Sequence, residues 1–432
     1  MPSPRIVHLA YGQGHLPVRL PAGAVPTVIR KRPLPKLEDP HAAVRDALER
    51  PVGAPPLRDL ARGRRSACIL VCDITRPVPN RLFLRPMIEA LVAGGVPRDA
   101  VTVLVATGLH RPNEGEELRE LIGDDWVLGN VRVENHDARD AAAHVDLGVT
   151  KGRQVPVKID RRLVEVDLRI ATGLVEPHFM AGWSGGRKVV APGVAHEDTI
   201  RTFHSARFME DPLAVQCNLA SNPLHEEQLE IVRMLGEIYA LNTVLDEDRS
   251  LVHVTFGEIV EGHLAAVAFV RPSTVIELPR RFRTVVTSAA GHPLDKTYYQ
   301  TIKGMVTPID ILEPGGTLIV ASACSEGIGS GEFRAAQERL VALGPRAFLD
   351  TLLAKRLADV DEWQTERQLK ATRVGTIQLY TEGLSPADKA ITGVGIVEDL
   401  DAAVAVSIAA HGDPAVAIIP EGPYVVPVHA VA

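Results

Sequence analysis

The chain has 432 residues, which predicts two domains or three at the usual size of roughly 100–200 residues per domain. Hydrophobic residues make up 46% and charged residues 23%, so a largely disordered chain is excluded. The formal net charge of −7 argues against a nucleic acid or an anionic membrane as the main partner. No apolar run reaches the ~18 residues of a membrane-spanning helix, and the start has no secretory signal pattern. We therefore expect a soluble, cytoplasmic protein.

Strand patterns alternate with helical patterns in the first part of the chain. Residues 67–73 (ACILVCD) and 101–108 (VTVLVATG) have the length and composition of buried strands. Amphipathic helical patterns follow them at 81–93 and 113–123, and residues 166–173 (VDLRIATG) form a third strand pattern. Continuous apolar strands that alternate with helices predict a parallel sheet covered on both faces.

A second domain is predicted to begin near residue 272, after the segment FVRPSTV. Further strand and helical patterns lie at residues 283–291, 315–323, 331–343 and 363–372. The expected domains are 1–271 and 272–410, with the apolar segment 411–432 open to return to the first domain as a strand. The predicted fold class is α/β, with two domains that contain parallel-rich sheets.

Unusual polar residues follow each of the three predicted strands of the first domain. In open α/β sheets, ligands bind outside the carboxyl ends of the strands. The residues at these ends are Asp73, Thr75 and Arg76, then His110 and Arg111, then Glu176 and His178. The planar guanidinium of Arg76 suits a carboxylate ligand, although a surface salt bridge explains this residue about equally well. Two histidines at equivalent strand ends fit a pair of acid–base groups better than two unrelated loop residues.

A glycine loop at residues 184–188 (Ser-Gly-Gly-Arg-Lys) is the densest cluster of candidate residues. Its backbone can approach an anion closely beside two cations, although a basic surface turn is the plainer alternative. The spacing matches neither a Walker loop nor a dinucleotide fingerprint. Further along, His204 follows a predicted helix start at Asp198 or Thr199. It is a candidate metal ligand, with a core or capping histidine as the alternative.

The segment 294–304 (LDKTYYQTIKG) contains a phenol, an amide and an ammonium group at a predicted helix start. Tyr299 and Lys303 are four residues apart and share a helix face, with Gln300 close to it. These groups could bind a hydroxy acid, whereas a solvated helix face is the alternative. Because the segment lies in the second predicted domain, the site is expected in the cleft between the domains.

Taken in order, these motifs resemble those of the nickel-pincer lactate racemase family. The motifs are DITRPVP, ATGLHRP, EPH followed by GWSGGRK, a histidine sixteen residues after that lysine, and YYQTIKG. They span residues 73–304, and the total length also fits. The resemblance is specific for the family and much weaker for the substrate, since several 2-hydroxy-acid racemases and epimerases share the motifs.

The resemblance implies a racemase that interconverts the D and L enantiomers of a 2-hydroxy acid, lactate or a close relative. The implied mechanism is proton-coupled hydride transfer through a 2-keto acid. The implied cofactor is a nickel pincer nucleotide, pyridinium-3,5-bisthiocarboxylic acid mononucleotide, whose nickel takes one protein histidine as its fourth ligand. By position that ligand is His204, and Lys188 matches a lysine that binds the cofactor, covalently in some members. Enzymes that assemble the cofactor are implied partners.

The same resemblance assigns roles to the other candidates. His110 and His178 match the two acid–base histidines. The substrate-binding set is Arg76, Tyr299, Gln300 and Lys303. The cofactor-binding set is Lys188 with Ser184, Gly185, Gly186, Arg187, Asp73 and Thr75, where Asp73 matches the carboxylate beside the arginine.

Three alternatives remain open at this point. The substrate could be larger or dicarboxylic, such as malate, an aryl-lactate or an aldonate, because no residue pattern identifies the side-chain pocket. A zinc hydrolase could use His110, His178 and His204, but the close-spaced HxH or HExxH pair is missing and Lys188 stays unexplained. A non-catalytic nickel-nucleotide binding protein is disfavoured because both acid–base histidines are present.

Overall fold

The structure, a computed structural model, describes residues 5–430. These residues form strands, α-helices and four single turns of 3₁₀ helix at Arg98–Ala100, Ala141–Ala143, Ile309–Ile311 and Gly422–Tyr424. Within this described range, no helix is both long enough and apolar enough to cross a membrane. Residues 1–4 and 431–432 lie outside the described residues. The expected absence of a secretory signal depends partly on the first of these segments, and the last predicted strand segment ends in the second.

The strands are numbered in chain order. They are β1 (Ile6–Tyr11), β2 (Gly14–Arg19), β3 (Val25–Val28), β4 (Ala67–Cys72), β5 (Val101–Ala106), β6 (Arg132–Asn135), β7 (His144–Val149), β8 (Pro156–Asp160), β9 (Leu168–Leu174), β10 (Pro177–His178), β11 (Gly182–Trp183), β12 (Tyr239–Leu245), β13 (Leu251–Glu258), β14 (Val275–Leu278), β15 (Phe282–Ser288), β16 (Leu312–Ala321), β17 (Thr376–Tyr380), β18 (Gly395–Val397), β19 (Ala415–Ile419) and β20 (Val426–His429).

The α-helices are numbered in the same way. They are α1 (Pro40–Glu49), α2 (Leu57–Leu60), α3 (Asn80–Ala93), α4 (Gly115–Ile122), α5 (Asp125–Asn130), α6 (Arg161–Val164), α7 (Arg187–Val190), α8 (Glu197–Phe203), α9 (Ala206–Met209), α10 (Pro223–Leu235), α11 (Ile259–Thr274), α12 (Tyr298–Val306), α13 (Gly331–Leu343), α14 (Pro345–Leu353), α15 (Glu362–Val374), α16 (Pro386–Ala390) and α17 (Leu400–His411).

The first of two structural units comprises residues 33–203 and 213–271. Its main sheet has the strand order β13-β12-β9-β4-β5-β6, in which β13 is antiparallel to β12 and the other pairs are parallel. On α3, Leu84, Ile88 and Leu91 recur at helical spacing and belong to one apolar core with Ile69 and Val71 of β4. The predicted parallel-rich α/β sheet is therefore confirmed.

The second unit comprises residues 5–32, 204–212 and 272–430. Its main sheet has the order β18-β17-β16-β15-β19-β3, and every pair is parallel. This division differs from the domains expected from the sequence. The strand at 415–419 pairs with β15 and β3 of this unit and does not return to the first. The continuous apolar sequence of β19 predicts a buried strand, but it does not indicate which sheet the strand joins.

Candidate active site

The carboxyl end of β4 carries an acid that orients a histidine from the neighbouring strand β5. Asp73 directly follows β4 and is buried, whereas the side chain of His110, in the loop after β5, is 63% exposed. The distance from His110 Nδ1 to Asp73 Oδ2 is 2.5 Å, and Thr75 Oγ1 donates to the other carboxyl oxygen at 2.5 Å. A carboxylate only accepts, so Nδ1 carries the ring hydrogen and Nε2 of the neutral ring keeps a lone pair.

The electrostatics of this end of the sheet keep Asp73 ionised. Burial alone would raise the pKa of its carboxyl. The hydrogen bonds from His110 and Thr75 and the positive charges of His110 and Arg76 outweigh burial, so the pKa of Asp73 lies below its ordinary value. The resulting carboxylate stabilises the positive charge that His110 gains when Nε2 accepts a proton.

Arg76 lies in the loop after β4 and forms an ion pair with Glu176, which follows the adjacent strand β9. About a quarter of each side chain is exposed, 27% and 24% respectively. The arginine that was predicted to bind a substrate carboxylate therefore already contacts a carboxylate of the protein. The sequence placed Glu176 at this strand end but assigned it no role. Its position in the EPH motif, two residues before His178, was the available signal.

His178, in the two-residue strand β10, is held in a different way from His110. It is 8% exposed, and its Nδ1 accepts hydrogen bonds from the backbone N–H groups of Met180 at 3.4 Å and Ala181 at 3.2 Å. A nitrogen that receives amide hydrogens cannot carry its own hydrogen, so the neutral ring is protonated at Nε2. The two predicted acid–base histidines thus differ in which ring nitrogen holds the proton.

The glycine loop at 184–188 is packed into the first unit. Gly185 and Gly186 have φ values of 80° and 50°, in the left-handed region that favours glycine. A Cβ atom on Gly186 would lie 3.0 Å from Cβ of His263, so packing also requires the absence of a side chain. The Ser184 hydroxyl donates to a backbone carbonyl at 2.7 Å. The loop geometry therefore fixes the backbone that leads into α7.

Arg187, which was predicted to bind the cofactor, is buried in the first unit. Its Nη2 donates to the carbonyl of Ala181 and its Nη1 contacts His263 Nε2, both at 2.9 Å. Burial lowers the pKa of Arg187 to about 9, and no carboxylate in residues 5–430 forms an ion pair with it. The next residue, Lys188, is half-buried. Both Nη atoms of Arg187 thus contact groups of the protein, whereas its buried Nε has no hydrogen-bond partner among the described residues.

The predicted metal ligand lies in the second unit beside an aromatic residue that sequence reasoning missed. His204 directly follows α8, and its ring centroid is 5.0 Å from that of Trp363 on α15. Trp363 Nε1 donates to the phenol oxygen of Tyr299 at 3.3 Å. Trp363 therefore connects the predicted metal ligand with a predicted substrate-binding residue. A lone tryptophan in an otherwise polar helical pattern was the available signal.

Tyr299, Gln300 and Lys303 lie on α12, as predicted. The helix begins after Thr297, whose side chain accepts a hydrogen bond from the backbone N–H of Gln300. Burial, together with the charge of Asp361, raises the pKa of Tyr299, so its phenol stays protonated at neutral pH. The side-chain oxygen of Gln300 is buried and accepts no hydrogen bond from any described residue. That oxygen can therefore accept a hydrogen bond from a ligand.

The structure brings the predicted residues together in two groups. The first unit contains Asp73, Thr75, Arg76, His110, His178 and the loop 184–188; the second contains His204, Tyr299, Gln300 and Lys303. Among the described residues, no group of three or more His, Cys, Asp or Glu side chains is arranged to hold a metal ion.

Comparison with known proteins gives a consistent result over nearly the whole chain. The lactate racemase N-terminal domain model matches residues 11–216, and the lactate racemase C-terminal domain model matches residues 280–427. The lactate racemase of Thermoanaerobacterium thermosaccharolyticum is 31% identical over 366 residues, 83% of this chain and 84% of that protein. The lactate racemase of Lactiplantibacillus plantarum is 31% identical over 388 residues, 88% and 89% of the two chains.

Solved structures agree with the sequence comparisons. The lactate racemase apoprotein from T. thermosaccharolyticum has a TM-score of 0.89 at 27% identity, covering 98% of this chain and 100% of that one. A Thermotoga maritima protein has a TM-score of 0.64 at 18% identity, covering 87% and 98%, and shares the fold. Both family models, the two relatives and the first of these structures identify this protein as an isomerase of the racemase class, and the chain belongs to the lactate racemase family.

Proposed function

We propose that this protein interconverts the D and L enantiomers of a small 2-hydroxy acid, lactate or a close relative. Both curated relatives are lactate racemases, and the described residues supply the acid–base group that such a reaction needs. The observation that carries the proposal is the pair of His110 and Asp73, whose Nδ1 and Oδ2 atoms are 2.5 Å apart. This pair leaves Nε2 of an exposed imidazole free to exchange a proton with a substrate hydroxyl.

The residues present fit a nickel pincer nucleotide. A nickel ion that is held mainly by its own nucleotide needs only one ligand from the protein, and His204 supplies an imidazole, a ligand that suits nickel. Lys188 supplies a primary amine, and the unpaired side-chain oxygen of Gln300 is open to a ligand. We assign His204 to the metal and Lys188 to the nucleotide. Enzymes that assemble the nucleotide are then required partners.

When bound, the nucleotide would supply an acceptor for the hydride that leaves the α-carbon. This acceptor is needed because imidazole alone is too weak a base to remove the α-hydrogen as a proton. The residues of this chain manage the proton and the orientation of the substrate. In one direction, His110 Nε2 accepts the hydroxyl proton while Asp73 stabilises the imidazolium. His178 serves the opposite face, since a flat 2-keto acid can be reduced from either side. Arg76 and Lys303 bind the carboxylate while the carbonyl group turns.

The test is metal analysis and a chiral assay on protein produced together with the cofactor-assembly enzymes. We expect nickel in the native protein, loss of nickel in His204→Ala, and racemisation of L-lactate and of D-lactate. Malate and an aryl-lactate in the same assay define the substrate range. Lactate deuterated at C2 should keep most of its label after racemisation in ordinary water. An active preparation without nickel, or rapid loss of the label, would contradict the proposal.

A further inference from the structure

The chain leaves the first unit for nine residues and then returns to it. Residues 204–212, the His204 segment, belong to the second unit, whereas the residues on both sides belong to the first. The segment begins with His204 and contains α9, a helix of four residues. A single helical turn is unstable on its own, so tertiary contacts must fix this segment.

Three side chains on one face of α15 contact the end of the His204 segment. They are spaced three residues apart and therefore lie on the same side of the helix. The contacts are Arg367 Nη2 to Met209 Sδ at 3.4 Å, Lys370 Nζ to the carbonyl oxygen of Asp211 at 3.4 Å, and Arg373 Nη1 to Glu210 Oε2 at 2.6 Å.

A fourth residue of α15, the buried Glu366, interacts with Glu210 directly. Oε1 of each carboxyl is buried and receives no hydrogen bond from a described residue. If one of the two carboxyls keeps its proton, it can donate a hydrogen bond to the other carboxyl. Burial, together with the charge and hydrogen bonding of Glu210, raises the pKa of Glu366 to about 8 despite the opposing charge of Arg367. The raised pKa favours the protonated form of Glu366, which can donate a hydrogen bond to Glu210.

The same helix contacts the start of the segment as well as its end. Trp363, one turn before Arg367 on α15, lies against His204 with ring centroids 5.0 Å apart. Between the two contacts, Phe208 and Met209 are fully buried. α15 therefore fixes both ends of a short segment whose first residue is the proposed nickel ligand.

We propose that Glu210 is a positioning residue: its ion pair with Arg373 holds the His204 segment on α15 and so places the His204 imidazole for metal binding. The role of His204 rests on the proposed function, whereas the attachment of the segment to α15 does not. Glu210 touches neither metal nor substrate in this assignment and acts only through the backbone of α9.

The first test is hydrogen–deuterium exchange of the apoprotein, which needs no cofactor. The variant is Arg373→Ala, whose side chain is 44% exposed, so the fold should tolerate the change. The matched control is Arg283→Ala, which removes another partly exposed Arg–Glu pair of the second unit, with Glu313 at 3.0 Å. We expect exchange in peptides covering 204–212 to be about tenfold faster in Arg373→Ala and unchanged in the control. Equal exchange in both variants would overturn the proposal.

The second test measures loss of nickel from the loaded protein in the presence of a chelator. We expect roughly tenfold faster loss in Arg373→Ala and in Glu210→Ala than in the Arg283→Ala control, because the ligand is held less firmly. Glu366→Gln should behave like the wild type, since its amide N–H can donate to Glu210. If exchange rises but nickel loss does not, the positioning role is wrong. If His204→Ala retains nickel, the ligand assignment itself fails, and the exchange result still reports on the attachment.

Discussion

His110 and His178 follow two strands, β5 and β9, that lie on either side of β4, yet the protein binds the two rings in opposite ways. Nδ1 of His110 faces the carboxylate of Asp73, and most of the ring is exposed. Nδ1 of His178 faces two backbone N–H groups, and the ring is buried. The carboxylate fixes the ring hydrogen of His110 at Nδ1, whereas the amide hydrogens exclude a ring hydrogen from Nδ1 of His178.

Two histidines at equivalent strand ends therefore need not be equivalent acid–base groups. In its neutral form, His110 offers a lone pair at Nε2, and His178 offers an N–H there. To accept a proton at Nε2, His178 must first carry its ring hydrogen at Nδ1, against the N–H groups of Met180 and Ala181. In the mechanism we propose, the reaction would therefore start from an asymmetric state, and each turnover would have to be followed by a return of protons to that state.

The largest expected effect comes from removing either ring. We expect His110→Ala and His178→Ala each to lower the rate of interconversion by about 10³-fold or more, at the upper end of what a general acid or base contributes. His41→Ala, at an exposed histidine of the first unit, is the control. Chiral assays in both directions measure the effect. Normal activity in His178→Ala would show that His178 is not an acid–base group of the reaction and would contradict the two-base assignment.

A smaller effect is expected from Asp73→Asn, which replaces the carboxylate that faces His110 Nδ1. The amide removes the negative charge that stabilises the imidazolium, so the rate should fall on the order of 10²-fold. Nickel content is measured in the same preparations, so that the rates of the variant and the wild type are compared per nickel-loaded protein. If activity survives Asp73→Asn but is lost in His110→Ala, the ring matters and the carboxylate does not.

The same substitution predicts a dependence of stability on pH. The folded state lowers the pKa of Asp73, so its carboxylate contributes stability above the unfolded pKa of about 3.9. This contribution is lost as the pH falls through the folded-state value. We expect Asp73→Asn to unfold at a lower temperature than the wild type at pH 7, with a difference that shrinks towards pH 3. A constant difference across that range would show that the charge of Asp73 is not what stabilises the fold.

The last test measures which ring nitrogen of each histidine carries the hydrogen, and it changes no residue in the active protein. Nitrogen NMR of histidine-labelled protein, with the two signals assigned by His110→Gln and His178→Gln, reports which ring nitrogen is protonated. We expect the Nδ1–H form for His110 and the Nε2–H form for His178. The same form in both rings would remove the asymmetry.

Much of the first unit could be predicted because its signals are local. Runs such as 67–73 and 101–108 are apolar enough to identify buried strands, and parallel strands place their carboxyl ends at one edge of the sheet. Asp73 and His110 were therefore expected near each other, and they are. The pairing of Arg76 with Glu176 was not predicted, because strand-end positions do not specify which side chains will meet.

The second unit was harder to predict because its organisation depends on distant partners. Nothing in the residues of β19 or β3 indicates which sheet they join. The helical pattern at 363–372 was predicted, but its many charged and polar residues gave no indication that the helix is buried. Within α15, Glu366 and Arg367 are instead buried against other parts of the same unit. Burial of a polar helix follows from its partners, in this case Glu210 and Met209, and not from its own hydropathy.

The sheet of the second unit also sets a condition on how the chain can fold during synthesis. Strand β3 comes from residues 25–28 and β15 from residues 282–288, and the strand that joins them, β19, ends at Ile419. After residues 25–28 leave the ribosome, β3 has no partner in its sheet until residues 415–419 have been translated. Such pairing across the whole sequence folds slowly and exposes an unpaired strand meanwhile. A fragment that ends before residue 415 would leave β3 without its neighbour for good.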